Sequence, residues 1–488
     1  MTIPPAQAEA AAFLAARAGA PPVETHISAV FVGRETAWKM KKAVALGFLD
    51  FTRIEDRERF CRREFEINRP HAPGIYRDLL PLTRGPDGRL REGGDGPAVE
   101  WVLRMAPIPA GDFLDRVAPT PALLDAVADA VAAMHAAAPR ARVDAPASLG
   151  RILDGNVPSA LRAGLDPTRV AAWAGAARTE LARIAPALAA RGEAGFVRRG
   201  HGDLHLGNIC LWDGRPTLFD ALEFDEALAT IDVGYDLAFL LMDLDLRHGR
   251  AAANRVLNRY VARTGDAGLV AGLPLWLSLR AMIRAHVEAA RGRDWAGLLA
   301  AAEAHLLPSP ARLVAIGGLQ GTGKSTLARA LAPALGRCPG ALVLRTDEAR
   351  KRRFGLPPER RLPPEAYGEE VSRAVHAEIL AMARAALAAG HCAVLDAVFL
   401  DPRHRAAAEG VAREAGLRFD GIWLEAPVEL LRARIAARRD DASDADEAVL
   451  MRAATVDPGA IAWHRVAAED GAAAAATAAI GMDPGSVC

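Results

Sequence analysis

Long apolar runs are missing from this chain. No stretch of about 18 apolar residues occurs among its 488 residues, and even the apolar run around Phe239 is broken by Asp236, Asp243 and Asp245. A helical membrane span is therefore not expected. Cysteine is sparse: Cys61, Cys210, Cys338, Cys392 and Cys488 are scattered, with no C-x-x-C pair and no nearby His spacing of the kind zinc motifs use. They read as reduced thiols in a cytoplasmic protein. A basic region before an apolar stretch is absent near the N-terminus, where Glu9 comes early, so a secretory signal is not expected either. Charge of one sign is not in excess, since Lys+Arg and Asp+Glu are both 60, which leaves no overall bias towards nucleic acid or membrane. At about 100–200 residues per domain, a chain of this length holds two to four domains.

The stretch that most narrowly specifies a ligand is GGLQGTGKST, residues 317–326. Val314, Ala315 and Ile316 precede it as a short apolar strand, and a helix-forming run, 327–335, follows. Glycines in that setting let backbone N–H groups turn inward around phosphate oxygens, and the helix N-terminus adds its positive dipole end. Gly318, Gly321, Gly323, Lys324, Ser325 and Thr326 are thus candidate nucleotide-binding residues. Lys324 would reach the β- and γ-phosphates, and the Ser325 hydroxyl would bind Mg2+.

Around this motif the chain divides in two. Residues 4–19 form a helix candidate, and 23–44 reads as a β-hairpin turning at Gly33 and Arg34. A charged helix, 53–68, and strands at 76–82 and 98–105 complete a small lobe of about 22–105. Helices are expected at 121–137, 168–191, 250–264, 272–291 and 293–306, interrupted by a β-rich insertion at 196–224. Proline returns in LLPSPAR, 306–312, which marks a linker. Beyond it, strands at 312–316, 341–345, 392–396 and 419–424 alternate with helices at 324–336, 369–389 and 402–415. That alternation predicts a parallel sheet with crossovers. The Ala/Gly-rich tail, 471–488, is expected to be disordered.

The β-rich insertion carries His201, Gly202, Asp203, His205 and Asn208 as H-G-D-x-H-x-x-N, with Asp220 following in LFDALEFD. A carboxylate for an acceptor hydroxyl and oxygen ligands for Mg2+ are what phosphoryl transfer asks of such a cluster. Asp203 fits the first role, and Asn208 and Asp220 the second. The pattern resembles the catalytic loop of the aminoglycoside phosphotransferase family, which shares the protein-kinase-like fold. That resemblance covers roughly 22–300 and implies that Lys39, in AWKMKKA, contacts the nucleotide phosphates with Glu64, in REFEIN, as its ion-pair partner. Glu66 rivals Glu64, and Lys41 or Lys42 rivals Lys39. It further implies that VEWVLRM, 99–105, is the inter-lobe hinge and that Asp232 and Asp236 orient the catalytic loop. His135 reads as a core or capping residue.

Downstream of GGLQGTGKST, which has the spacing of a P-loop, four features narrow its class. Asp347 and Arg350 form D-x-x-R at i, i+3 after a strand, a candidate base and a candidate substrate-binding guanidinium. CAVLD ends in Asp396, a candidate metal carboxylate, and is followed by Ala397 rather than a Glu, which favours transfer to a hydroxyl over hydrolysis. Arg434 and Arg438 stand at i, i+4 before an acidic loop, as a lid that closes over phosphates, with Arg432 and Arg439 as alternatives. The unit is also short, with no room for the extra helical domain of hexameric ATPases. Together these resemble the P-loop kinases that include gluconate kinase, chloramphenicol phosphotransferase, zeta toxins and the 5′-kinase domain of polynucleotide kinases. The basic cluster between Arg345 and Arg361 has only Phe354 as an interleaved aromatic, which gives base stacking little support.

The expectation is a two-domain α/β and α+β chain. A protein-kinase-like bilobal domain spans 1–305, 306–312 is a linker, and a P-loop NTPase domain with a parallel sheet flanked by helices spans 313–470. The resemblances imply a bifunctional, ATP- and Mg2+-dependent phosphotransferase acting on hydroxyls of small-molecule acceptors. A regulator in which one ATP-binding domain controls the other is the alternative, as is an RNA or polynucleotide kinase, although a nucleic-acid partner is not favoured.

Overall fold

The computed structural model describes residues 2–46, 49–437 and 442–482. The chain forms two compact units, Met1–Ala126 with Ala133–Ser148 and Arg191–Asp236, and Val127–Ala132 with Leu149–Ala190 and Leu237–Cys488.

In the first unit α1 (Ala8–Ala18) stops at Gly19, whose φ of 73° is a left-handed cap. Then come β1 (Val23–Glu24), β2 (Ser28–Val32), β3 (Ala37–Lys41), α2 (Ile54–Asn68), β4 (Tyr76–Arg84), β5 (Leu90–Glu92) and β6 (Ala98–Met105). The strands form one antiparallel sheet in the order β1-β2-β3-β6-β4-β5. Its two faces are covered differently: Phe31, Met40 and Val102 pack with Leu14 of α1, and Ala37 and Leu103 pack with Cys61 of α2. The expected hinge VEWVLRM is instead paired with β3 on one side and β4 on the other, so it is an interior strand. Apolar residues at alternate positions put it there, and the connection to the next helix begins after Met105.

Helices α3 (Pro121–Ala137), α4 (Ala145–Arg162) and α5 (Pro167–Glu193) follow. Thr120 caps α3 by accepting from the Leu123 amide at 3.2 Å, with Pro121 preset for the first turn. Next are β7 (Val197–Arg199), β8 (Ile209–Trp212), β9 (Arg215–Leu218), α6 (Glu226–Ala229) and β10 (Thr230–Asp232). β8 pairs with β9 and β7 with β10, each antiparallel, which holds HGDLHLGN and FDALEF in loops between short strands. The chain then runs through α7 (Val233–His248), α8 (Arg250–Thr264), α9 (Leu273–Ala290) and α10 (Ala296–Ala304). Almost every residue of α9 up to Met282 is buried, around Trp276.

The remaining elements are β11 (Arg312–Gly318), α11 (Lys324–Leu331), β12 (Leu342–Arg345), α12 (Thr346–Arg353), α13 (Glu369–Ala388), β13 (Ala393–Asp396), α14 (Pro402–Glu414), β14 (Arg418–Glu425), α15 (Val428–Ala437), α16 (Glu447–Ala454), β15 (His464–Ala467) and α17 (Ala472–Ala479). Five parallel strands lie in the order β12-β13-β11-β14-β15 with helices as crossovers. β11 is central, so its unbroken apolar run has a buried face on both sides. The expected disordered tail is helical over α17, because an alanine-rich run has high helix propensity and Ala476 and Ile480 pack into the core beside Val466. Residues 483–488 lie outside the described residues. Among the described residues no helix is long and apolar enough to cross a membrane.

Candidate active sites

Two separate constellations emerge, one in each unit. In the first, β3 presents Lys39 and Lys41 on the same face, as residues two apart on a strand must be. Lys39 Nζ donates to Glu64 Oε1 at 2.7 Å and to Asp220 Oδ1 at 2.5 Å. Lys41 Nζ donates to Glu64 Oε2 at 2.8 Å and to Glu223 Oε1. Glu64 therefore bridges two ammoniums. It is buried on the helix face shared with Cys61 and Asn68, whereas Glu66 is exposed and Lys42 turns away to Glu24 at 2.6 Å. Burial alone would raise the Glu64 pKa, but the Lys39 and Lys41 charges outweigh it and hold the carboxyl down at about 2. Burial likewise opposes the Lys39 charge, and the Asp220 and Glu64 carboxylates overcome it and raise that pKa.

Asp220 itself has φ 60°, a left-handed conformation that a non-glycine residue adopts only when its surroundings hold it. Tyr76 Oη accepts from the Asp220 amide at 3.1 Å, and Asn68 Oδ1 accepts from the Ala221 amide at 2.7 Å, so backbone contacts on both residues fix the turn. Asn208 Nδ2 donates to Asp203 Oδ2 at 3.0 Å and to the Asp203 carbonyl at 2.9 Å. The Asp203 side chain stays 46% exposed, open to an incoming group. Behind the loop, the Asp236 carboxylate is fully buried and accepts from the amides of His201 at 2.6 Å and Gly202 at 2.9 Å. His135 Nε2 lies 3.2 Å from Asp236, so that histidine supports the loop from α3. Gly202 has φ 82°, and a Cβ there would sit 3.0 Å from Leu222 Cβ. Asp232 is held by Arg191 in a two-pronged pair at 2.8 and 2.9 Å.

The second constellation lines a cavity of about 1170 Å³. Into it face Gly321, Gly323, Lys324, Ser325 and Thr326 from the P-loop, Asp347 and Arg350 from α12, Asp396 from the end of β13, and Arg434 from α15. Gly318, Gly321 and Gly323 have φ of 133°, 84° and 87°, and a Cβ on Gly318 would meet the Leu424 carbonyl at 2.4 Å. Lys324 Nζ donates to the carbonyls of Gly318 at 3.0 Å and Leu319 at 2.8 Å across the loop. Ser325 Oγ donates to Asp396 Oδ2 at 2.6 Å, which sets a hydroxyl and a carboxylate side by side. Arg345, buried at the end of β12, donates to the same oxygen at 3.1 Å and to Glu348 at 3.1 Å.

Arg350 donates to the Ala366 carbonyl at 2.6 Å and to Ser372 Oγ at 3.2 Å, its guanidinium 5.0 Å from the centre of the Tyr367 ring. Its burial lowers its pKa. On α15, Arg432 points to Glu447 at 2.5 Å, leaving Arg434 on the cavity side. Arg438 and Arg439 lie outside the described residues.

Sequence reasoning missed the Lys41–Glu223 pair and Arg345. The first was legible from strand periodicity, since Lys39 and Lys41 share a face. Arg345 carries no such signal, because it sits in a cluster of basic residues that otherwise reads as a solvated surface.

Over residues 87–280 the chain matches the family model described as phosphotransferase enzyme family, and over residues 313–456 the one described as AAA domain. The uncharacterized protein Rv2004c of Mycobacterium tuberculosis is 31% identical over 443 residues, 86% of this chain and 87% of its own length. The uncharacterized protein Mb2027c of Mycobacterium bovis gives the same identity and coverage, 31% over 443 residues, 86% and 87%. Among solved structures, a choline/ethanolamine kinase family protein from Mesorhizobium loti is 14% identical and covers 62% of this chain and 93% of its own, with a TM-score of 0.37. A gluconokinase from Sinorhizobium meliloti is 19% identical and covers 36% of this chain and 93% of its own, with a TM-score of 0.25. The chain belongs to the same family as these two mycobacterial proteins, and within it carries a phosphotransferase-family domain followed by a P-loop kinase-like AAA domain.

Proposed function

We propose that this chain is a bifunctional ATP-dependent phosphotransferase with one Mg-ATP site in each kinase-like domain, acting on hydroxyl groups of small-molecule acceptors. The domains run over 1–305 and 313–470, joined by 306–312. The observation that carries the reading is the convergence of Lys324, Ser325, Asp347, Arg350, Asp396 and Arg434 on one cavity, residues that lie up to about 110 positions apart in the chain. Mg-ATP supplies the transferable γ-phosphoryl group and the metal charge that neutralises it.

In the first site Lys39, steadied by Glu64, binds the nucleotide phosphates. Asp220 and the amide oxygen of Asn208 offer oxygen ligands of the kind Mg2+ takes. Because Asn208 donates through Nδ2 to Asp203, its oxygen is directed elsewhere and the Asp203 carboxylate is oriented. Asp203 then orients the acceptor hydroxyl and takes its proton. In the second site the P-loop amides and Lys324 cradle phosphates, Ser325 and Asp396 hold the metal side, Asp347 is the base, and Arg350 holds the acceptor. Arg434 and Arg438 stabilise charge from the lid.

A small acceptor is favoured over a polynucleotide because part of the basic cluster is spent internally, leaving Arg353, Arg360 and Arg361 as its exposed members. Arg345 serves Asp396 and Glu348, Lys351 serves Asp444 at 2.7 Å, and Arg352 serves Glu378 at 2.6 Å.

The test is to mutate Asp203→Ala and Lys324→Ala separately and follow ATP-dependent mass gain across a metabolite library. Each substitution is expected to abolish a different phosphorylated product, by at least about 100-fold. If Asp203→Ala leaves every product unchanged, the first domain is not a kinase.

A further inference from the structure

Outside both sites, three side chains of metal-ligating chemistry meet within the second unit. Asp245 lies near the end of α7, His305 directly follows α10, and Cys338 lies in the loop between α11 and β12. Their ligating atoms all fall within 4.8 Å of one another. Cys338 Sγ donates to Asp245 Oδ2 at 3.2 Å. His305 is only 8% exposed, and its Nε2 is buried without a hydrogen-bond partner. A buried imidazole with an unsatisfied ring nitrogen, set beside a thiol and a carboxylate, is a donor set waiting for an acceptor of electron pairs.

We propose that Asp245, His305 and Cys338 form a binding site for a borderline-soft divalent transition-metal ion of the Zn2+ class. One sulfur, one nitrogen and one oxygen donor suit that class, whereas Mg2+ and Ca2+ select all-oxygen sites. Bonds of about 2.0–2.3 Å place the donors of one ion within about 4 Å of each other, so a set already inside 4.8 Å needs only about 1 Å of closure. On binding, the Cys338 thiol releases its proton to solvent as the sulfur–metal bond forms, and thiolate and carboxylate balance the 2+ charge. The fourth tetrahedral position is left to water. Arg250 adds a nearby positive charge, its guanidinium donating to the Gly336 carbonyl at 2.8 Å, two residues before Cys338.

The site would tie α7 and the segment after α10 to the loop that leads into β12, and β12 carries directly into Asp347. Nothing in the linear spacing reveals it, since its three residues come from three well-separated segments. The inference stands independently of the phosphotransferase reading.

Full-length protein, stripped with a chelator and freed of it, is titrated with Co2+ without nucleotide. The expected result is a thiolate-to-cobalt charge-transfer band with tetrahedral ligand-field bands, saturating at one ion per chain. Cys338→Ser should remove the charge-transfer band, and Asp245→Asn, which preserves side-chain volume, should weaken binding by at least about tenfold. Cys392→Ser should keep the band. Circular dichroism and melting of each metal-free variant establish that it is folded. Absence of the band in the wild-type chain, or its persistence in folded Cys338→Ser, would overturn the proposal.

Discussion

Lys39 and Lys41 stand two residues apart on β3, and between them they contact three carboxylates, Glu64, Asp220 and Glu223. Their positions follow from strand geometry, yet a reading of AWKMKKA alone leaves three lysines open. What decides among them is the partner each reaches, since all three are buried: Lys39 meets Glu64 and Asp220 and Lys42 meets Glu24, whereas Lys41, 1% exposed, has its charge matched inside the fold by Glu64 and Glu223. Removing one partner of such a group leaves an uncompensated charge. Lys41→Met is therefore expected to destabilise the protein by about 3–5 kcal/mol, and Lys41→Met with Glu223→Leu by clearly less, measured by denaturant unfolding. A double-variant loss equal to the sum of the separate Lys41→Met and Glu223→Leu losses would show that the two side chains are not coupled. Asp203, Asn208 and Asp220 stand out as candidates because their types and order carry chemistry, whereas Arg345 was hidden among neighbouring arginines and lysines.

At the scale of elements, edge strand β12 needs partners on its open side, and α8 supplies them. Asn258 Oδ1 accepts from the Val343 amide at 2.7 Å, and Asn254 Nδ2 donates to the Ala341 carbonyl at 3.0 Å. This bracing holds the strand from which Asp347 and Arg350 emerge. Asn258→Ala is expected to cost about 1–3 kcal/mol by leaving the Val343 amide unpaired, with a lowered melting temperature as the readout. A melting temperature unchanged by Asn258→Ala would mean that water or a shift of β12 replaces the bond. Long periodic helices such as α3 and α8 were readable from sequence nearly to their ends. Helix α4 was not, because Gly150, Gly155 and Pro158 mask its pattern, although Leu149, Leu153, Asn156 and Ala160 bury one face. β15 was missed too, being only four residues long, with its pairing to β14 set by tertiary contacts.

For the whole molecule, acidification should be costly. Burial pushes His286, His376 and His391 down to about 4 in the folded chain, against about 6.5 when unfolded. Their contribution is fully present above about 6.5 and is lost as pH falls towards 4, because the unfolded chain binds more protons in that window. Melting temperatures are expected to fall steadily from pH 6.5 to 4, and a flat profile there would contradict the burial of these rings. The chain's two-part organisation was legible from a catalytic-loop pattern and a P-loop, each of which fixes residue type and spacing by its chemistry. The Asp245, His305 and Cys338 cluster was invisible because only folding assembles it. The central claim, two nucleotide sites on one chain, is tested most directly by the stoichiometry of Mg-ATP binding in calorimetry. Two equivalents are expected for the wild-type chain, one each for Lys39→Met and Lys324→Ala, and none for the double variant; a single equivalent in the wild-type chain would contradict the account.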